Sequence, residues 1–124
     1  MMLFDTYKYT FHKQLLGNEK GIHYLPHHDG GGRYYIENTL KHLDFPKFNS
    51  IMEMCSGPGF MGYYLMDRFN LNEVHLVDIN CDVEETIKLT NDENNWNGIF
   101  HFSNGLKDYN GPKVDFIITN PPHC

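Results

Sequence analysis

From residue 50 onward, short apolar runs alternate with segments in which apolar residues recur at helical spacing. The apolar runs predict four strands, at Ile51–Met54, Val74–Asp78, Ile99–Phe102 and Val114–Thr119. The intervening segments predict helices over Phe60–Phe69 and Val83–Asn91, the second after Asp82 and Glu85 at capping-box spacing. Because strands alternate with helices, we expect an α/β fold with an open parallel sheet, whose ligand lies at the carboxyl ends of the strands.

The first part of the chain has a different pattern, rich in aromatic residues and histidine. Its apolar positions recur at helical spacing and predict an amphipathic helix over Tyr34–Leu43. The pattern breaks at Asp44–Ser50, where Pro46 and Asn49 lie. We therefore divide the chain into a helical and aromatic segment, 1–49, and a core, 50–124.

Composition and charge limit the classes of protein to which the chain can belong. Its 124 residues suffice for one ordinary domain. Lys and Arg total 10 against 16 Asp and Glu, and the formal net charge of −6 argues against non-specific binding to nucleic acids or membranes. No apolar run approaches the ~20 residues that cross a bilayer, and the N-terminus lacks the pattern of a signal peptide.

Neither the cysteines nor the histidines have the spacing of a metal site. Cys55, Cys81 and Cys124 are far apart and odd in number, which favours a reducing, cytoplasmic location. The adjacent residues of His27-His28-Asp29 usually point in different directions, so we expect no bound metal.

The segment from Glu53 to Gly62, with the sequence EMCSGPGFMG, contains the pattern G-x-G-x-x-G. It follows a predicted strand, opens a predicted helix, and precedes Asp78 at the end of the next strand. Glycines allow backbone N–H groups to approach a ligand, and an acid at that position accepts hydrogen bonds from ribose hydroxyls. The pattern suits a dinucleotide such as NAD or S-adenosylmethionine. Glu53 favours the second, because a carboxylate attracts a cationic amino group and repels a pyrophosphate.

The tetrapeptide Asn120-Pro121-Pro122-His123 follows the fourth predicted strand. An exocyclic amine or amide nitrogen is a poor nucleophile, and two carbonyl oxygens that accept its N–H bonds direct its lone pair at an electrophile. This tetrapeptide resembles the catalytic loop of amino-methyltransferases. Together with Glu53–Gly62 and Val77-Asp78, it makes Ser50–Cys124 similar to class I S-adenosylmethionine-dependent methyltransferases.

Within that class the chain is most similar to the small methyltransferase domain group. The group includes glutamine-N5 methyltransferases of translation factors and guanine-N2 methyltransferases of ribosomal RNA. Phe102-Ser103-Asn104 and Val114–Pro122 are especially similar to the ribosomal RNA branch. The resemblance implies a Rossmann-like sheet, of which this chain holds the N-terminal half with about four strands. It also implies a fragment of a longer reading frame, truncated after the Asn-Pro-Pro motif.

The resemblance also implies roles for individual residues. Glu53 neighbours the methionine end of the cofactor, Asp78 holds the ribose, and Asn104 binds the adenine edge with Ser103 as the second choice. Cys55 stands where the group usually has its first glycine, and His123 where Tyr or Phe is commonest. The residues expected to bind the cofactor are Glu53, Cys55, Gly57, Gly59, Asp78, Ile79, Ser103 and Asn104. Those expected to be catalytic are Asn120, Pro121, Pro122 and His123.

The acceptor and the wider role stay open at the level of sequence. A glutamine amide, a guanine N2, an adenine N6 and a small molecule all suit the loop, so the partner is a protein or a nucleic acid substrate, with no membrane. Two alternatives are a dinucleotide-binding module of an oxidoreductase and an inactive S-adenosylmethionine-binding scaffold; the oligomeric state is undetermined. Residues 1–49 are expected to act as a lid on the substrate side. Leu25–Glu37, together with the C-terminal part that the expected truncation removes, is expected to select the substrate. Tyr34 and Tyr35 are expected to line the core or a cleft rather than stack on bases.

Overall fold

A four-stranded parallel sheet lies at the centre of the computed structural model, which describes residues 12–28 and 31–121. The strands are β1 (His12–Leu15), β2 (Gly21–Tyr24), β3 (Ile51–Met54), β4 (Val74–Asp78), β5 (Gly98–Phe102) and β6 (Phe116–Thr119). The α-helices are α1 (Gly31–Asn38), α2 (Phe60–Arg68) and α3 (Val83–Asn94), with short 3-10 helices at Gly17–Glu19, Pro26–His28 and Leu40–His42. The expected α/β class, with four parallel strands, is confirmed. None of the helices in this described part is long and apolar enough to cross a membrane.

The sheet has the strand order β5–β4–β3–β6. The chain moves outward from β3 to β5 and then returns to the other side of β3 to form β6. Glu53 on β3 therefore lies beside Leu76 of β4 on one side and Ile118 of β6 on the other. Because the direction of winding reverses between β3 and β6, their carboxyl ends flank the crevice in which open α/β sheets bind ligands.

Two glycines let α2 approach the sheet closely. A Cβ atom on Gly62 would lie 3.0 Å from side-chain atoms of Val74 and Leu76, and one on Gly59 would lie 2.8 Å from the ring of Tyr63. Leu76 and Tyr63 are fully buried in the resulting interface. Part of the glycine pattern therefore serves packing between α2 and β4.

β1 and β2 form an antiparallel hairpin that the sequence pattern did not predict. It packs on α3, where the Asn94 side chain donates to Gly21 O at 2.7 Å and accepts from Gly21 N at 3.3 Å. An ion pair of 2.6 Å joins Lys20 to Asp67 on α2, and Ile22 is fully buried. These contacts fix the hairpin and thereby the position of the segment that follows it.

The first helix differs from its predicted span of Tyr34–Leu43. α1 begins at Gly31, because Gly32 packs against Phe60 so closely that a Cβ would lie 2.1 Å from the ring. It ends at Asn38, and Thr39, with a φ of −134°, separates it from the 3-10 helix at Leu40–His42.

The last strand starts two residues later than the predicted Val114. The N–H of Asp115 donates to Ser50 Oγ at 2.8 Å, and the Asp115 carboxylate accepts from the N–H of Asn49 at 3.1 Å. Side-chain oxygens therefore accept the backbone N–H groups of Asn49 and Asp115. Backbone pairing of β6 with β3 begins only at Phe116.

The third helix forms where it is predicted, but not by a capping box. Asp82 already has helical backbone angles, with φ −65° and ψ −20°, and makes no side-chain cap hydrogen bond. The capping-box interpretation is therefore wrong, although α3 does begin at Val83. The helix runs past the predicted Asn91 to Asn94 and ends at Asn95, which has a left-handed φ of 56°.

Candidate functional site

Two neighbouring cavities lie at the carboxyl end of the sheet. One, which we call the Glu53 cavity, has a volume of about 360 Å³ and extends from Glu53 to α1. The other, the Asp78 cavity, has about 420 Å³ and extends along β4 toward the end of β5. His28, Cys55, Gly57 and Asn120 line both. The two cavities therefore meet over the turn that follows β3.

The turn between β3 and α2 is held open by left-handed backbone conformations. Cys55, Gly57 and Gly59 have φ values of 54°, 50° and 91°. The N–H of Ser56 donates to Val77 O at 3.0 Å, which ties the turn to β4. Cys55 is thus a non-glycine residue at a position whose geometry favours glycine, and a left-handed conformation costs a residue with a Cβ roughly 1–2 kcal/mol.

Asp78 fixes the wall between the turn and β4. One of its carboxylate oxygens accepts from the N–H of Gly57 at 2.7 Å, and the other accepts from the N–H of Asn80 at 2.8 Å. A carboxylate oxygen has more than one lone pair. Each oxygen thus retains acceptor capacity at the edge of the Asp78 cavity, in a position that the backbone holds rigidly.

Glu53 is a buried acid in the wall of the Glu53 cavity. Its side chain is 3% exposed, and its Oε1 accepts from the N–H of Gly62 at 2.7 Å. Burial raises the pKa of Glu53 from 4.5 to about 8; the Gly62 hydrogen bond opposes this and the negative charge of Asp78 adds to it. Burial of Tyr63 itself, together with the charge of Glu53, raises the pKa of the Tyr63 hydroxyl. A cation in this cavity would stabilise the ionised carboxylate.

Asn120 is exposed and follows β6 directly. Its neighbour Thr119 pairs with Met54 in the ladder and donates from Oγ1 to Met54 O at 2.9 Å. This places Asn120 beside the turn at Cys55, where it lines both cavities. Pro121 is exposed, whereas Pro122 and His123 lie outside the described residues.

The residues expected at an adenine edge line the Asp78 cavity. Ile79 is 61% exposed, and Asn104 is exposed beside it. Ser103 is buried: its N–H donates to Asp78 O at 3.0 Å, and its Oγ accepts from the N–H of Asp108 at 2.9 Å. The Ser103 hydroxyl therefore organises the following turn, which leaves Asn104 as the more accessible polar group.

The structure places most of the predicted site residues that it describes around the two cavities, except Gly59 and Pro121, which line neither cavity. Gly59 is buried beneath the turn, against Tyr63, and does not line either cavity. Among the residues that the structure describes, no group of three or more His, Cys, Asp or Glu side chains could hold a metal. Asp29 of the His27-His28-Asp29 run lies outside the described residues.

Sequence reasoning named no site role for His28, and it expected Tyr35 to line the core or a cleft without assigning it to this site. His28 lines both cavities, and Tyr35 lines the Glu53 cavity. The expectation that Tyr35 lines a cleft is confirmed, whereas Tyr34 is 67% exposed and lines neither the core nor these cavities. Both residues fall in the Leu25–Glu37 segment, which is held by the packing of the hairpin on α3 and of Gly32 on Phe60.

Comparison with known proteins supports the fold and identifies the family. The family model described as "methyltransferase small domain" matches residues 16–124. No curated protein sequence matches the chain. A T. thermophilus 16S rRNA N2 G1207 methyltransferase, solved with AdoMet and guanosine, superposes with a TM-score of 0.69 at 19% identity, over 93% of this chain and 33% of that one. A Pyrococcus abyssi tRNA (uracil-54, C5)-methyltransferase, solved with S-adenosyl-L-homocysteine, superposes with a TM-score of 0.66 at 20% identity, over 90% and 28%.

The chain spans about a third of the length of these two structures. They share its fold, including the parallel sheet and the helices that flank it. The family model covers far more than half of the chain. The protein therefore belongs to the methyltransferase small domain family.

Proposed function

We propose that the protein is an S-adenosylmethionine-dependent N-methyltransferase that acts on an exocyclic amine or amide nitrogen. The observation that carries this proposal is convergence: Glu53 with the glycine turn, Asp78 and Asn120 come from three separate parts of the sequence and line two cavities that meet over that turn. The family and the ligands of the two similar structures support it.

The chemistry of the two cavities fits the two ends of this cofactor. The buried Glu53 carboxylate suits the cationic amino group of the methionine part, which lowers the energy of the charged acid. Asp78 has acceptor capacity for the ribose hydroxyls, and Ile79 and Asn104 offer an apolar surface and a polar group for adenine. When bound, the cofactor supplies a methyl group on a positively charged sulfur. A dinucleotide does not fit as well, since its pyrophosphate would face the acids.

Asn120 is positioned to orient the acceptor. Its side-chain carbonyl and the backbone carbonyl of Pro121 accept the two N–H bonds of the exocyclic group, which directs the nitrogen lone pair toward the methyl carbon. The nitrogen forms the new bond to carbon, the carbon–sulfur bond breaks with its electrons on sulfur, and the nitrogen releases one proton to water. The proposed acceptors are a glutamine amide, a guanine N2 and an adenine N6, and the similar structures favour a base of RNA.

Isothermal titration tests the cofactor assignment directly. S-adenosylhomocysteine is expected to bind and NAD is not; binding of NAD alone would contradict the proposal. Transfer of a labelled methyl group to ribosomes, translation factors and DNA, compared side by side, then identifies the acceptor. Binding of S-adenosylhomocysteine with no transfer to any acceptor would instead support an inactive scaffold.

Two variants separate the roles of the residues. Asn120→Ala is expected to lower the rate by about 100-fold while leaving S-adenosylhomocysteine affinity nearly unchanged, because Asn120 faces the acceptor. Asp78→Asn keeps one acceptor for the turn but removes the charge, and should weaken cofactor binding by about 1–3 kcal/mol. Near-normal turnover of Asn120→Ala at saturating cofactor would refute the assignment of the catalytic loop.

A further inference from the structure

Tyr35 is an aromatic residue in the lining of the Glu53 cavity. Its side chain is 42% exposed although it lines that cavity. The preceding Tyr34 is 67% exposed and lies outside the cavity lining. The two rings meet edge to face, with centroids 6.0 Å apart and planes at 83°. Tyr35 is therefore a partly exposed aromatic residue in the cavity lining that a bound ligand could cover, whereas Tyr34 lies outside the lining.

The helix that carries Tyr35 is held in place on several sides. Ile36 is buried in the core, and Gly32 packs directly against Phe60 of α2. The N–H of Arg33 donates to Gln14 Oε1 on the hairpin at 3.0 Å. The ring is thus presented by a fixed helix, which limits the entropy that stacking on a ligand would cost.

The same cavity contains Asn120, which enters it from the end of β6. A planar acceptor that enters this cavity and offers an exocyclic amino group to Asn120 would lie among its lining residues, which include Tyr35. Charge is a weak source of affinity for nucleic acid in this chain, whose formal net charge is −6. Stacking of a base on an aromatic ring does not depend on charge, and it is sequence-tolerant because every base has a π-face.

We propose that Tyr35 is a specificity-determining residue that stacks on a nucleobase whose exocyclic amino group faces Asn120. This proposal rests on the N-methyltransferase function proposed above. Among the acceptors named there, it favours a base in a single-stranded or looped nucleic acid. A glutamine side chain has no ring, so it gains nothing comparable from Tyr35. The assignment replaces the sequence-based expectation that Tyr35 is not a base-stacking residue.

The test compares Tyr35→Ala, Tyr35→Phe and the matched control Tyr34→Ala. Binding of a short single-stranded RNA of mixed sequence is measured by fluorescence anisotropy in the presence of saturating S-adenosylhomocysteine. Tyr35→Ala should weaken RNA binding by about 10- to 100-fold, the effect of losing one base–aromatic stack. Tyr35→Phe, which keeps the ring, and Tyr34→Ala should stay within a few-fold of the unchanged protein.

Titration of each variant with S-adenosylhomocysteine separates this proposal from the cofactor assignment. Tyr34→Ala and Tyr35→Phe should bind it like the unchanged protein, and in Tyr35→Ala the loss of RNA affinity should exceed any loss of S-adenosylhomocysteine affinity. If the unchanged protein does not bind S-adenosylhomocysteine, the proposed function itself fails. With cofactor binding intact, three results would overturn the role of Tyr35: no RNA binding by the unchanged protein, equal effects of Tyr34→Ala and Tyr35→Ala, or methylation of a glutamine peptide alone.

The salt dependence provides a second readout. If stacking supplies most of the affinity, the dissociation constant for RNA should rise less than about tenfold between 50 and 200 mM salt, since a protein with 6–10 phosphate contacts to a single strand loses about 300-fold or more. A loss of that larger size would show that phosphate contacts dominate and would overturn the assignment.

Discussion

Replacing Glu53 by glutamine is expected to make the ligand-free protein more stable at neutral pH. The side chain is 3% exposed, and its pKa is raised from 4.5 to about 8, mainly by burial. Glutamine has the same shape, is neutral, and keeps a carbonyl oxygen that accepts the N–H of Gly62. The substitution therefore removes the titration of residue 53 while leaving its hydrogen bond in place.

The sign of the pH effect follows from the two pKa values. The folded-state pKa of Glu53 lies above its unfolded value, so the unfolded chain releases the proton first as the pH rises. The contribution of Glu53 to the free energy of unfolding is complete below pH 4.5 and is lost between pH 4.5 and about 8. At about 1.4 kcal/mol per pH unit, the loss is about 1 kcal/mol at pH 5, about 3 kcal/mol at pH 7 and about 5 kcal/mol above pH 8.

Urea unfolding between pH 5 and pH 8, followed by the fluorescence of Trp96, measures this difference. Trp96 is stacked on Tyr63 with ring centroids 5.2 Å apart, so its emission reports the core beside Glu53. Glu53→Gln should exceed the unchanged protein by about 1 kcal/mol at pH 5 and by about 3 kcal/mol at pH 7. Glu84→Gln, at an exposed position of α3, is the matched control and should show no such trend.

The result that would refute this reasoning is a stability difference that does not change with pH. Such a result would mean that Glu53 titrates at the same pH in the folded and unfolded chains, and that the cavity wall solvates its charge. A loss of stability in Glu53→Gln at pH 7 would likewise show that the ionised form makes a favourable interaction in the free protein.

Three further substitutions test other parts of the structure. Cys55→Gly should raise the free energy of unfolding by about 0.5–1 kcal/mol in urea titrations, because glycine relieves the left-handed φ of 54°, whereas Cys55→Ala should leave it unchanged. Arg68→Ala should lower it by about 1–2 kcal/mol, since the guanidinium donates to Leu40 O and Leu43 O at 2.9 and 3.1 Å; a loss no larger than that of Lys88→Ala would contradict this. Burial and neighbouring His75 lower the pKa of His101, so its contribution to stability is present above pH 6.5 and is lost as the pH falls below it. His101→Gln should therefore reduce the drop in thermal midpoint between pH 7.5 and 5.5. If the drop is undiminished, other titrating groups cause it.

The sheet could be predicted because its signals are local. Each strand from β3 to β6 is a short apolar run bounded by turn residues, and the helices between them have their own periodicity. The order of elements is also informative: the glycine turn follows β3, and Asp78 ends the next strand, β4. Because both strands end at the same edge of a parallel sheet, the sequence alone places Gly57 and Asp78 together there. Their hydrogen bond of 2.7 Å is the direct consequence of that topology.

The hairpin and the residues that it positions could not be predicted in this way. β1 reads His12-Lys13-Gln14-Leu15 and has no alternation of apolar and polar residues that would indicate a buried face. Its partner strand is fixed by contacts distant in sequence, such as the paired hydrogen bonds between Gly21 and Asn94, 73 positions apart. The positions of His28 and Tyr35 depend on those contacts and not on any local pattern.

Two energetically unfavourable features of the described chain lie at the proposed site. The buried carboxylate of Glu53 and the left-handed Cys55 lie two residues apart, at the end of β3. The packing of the sheet requires neither feature, because a neutral side chain at position 53 and a glycine at position 55 would be compatible with the same backbone conformation. A cationic ligand in the Glu53 cavity would ionise Glu53 and recover part of the free energy that burial of this acid costs. The affinity of S-adenosylhomocysteine should therefore depend on pH between 6 and 8 in the unchanged protein, and this dependence should be smaller in Glu53→Gln; an identical pH profile would exclude Glu53 as the partner of the amino group.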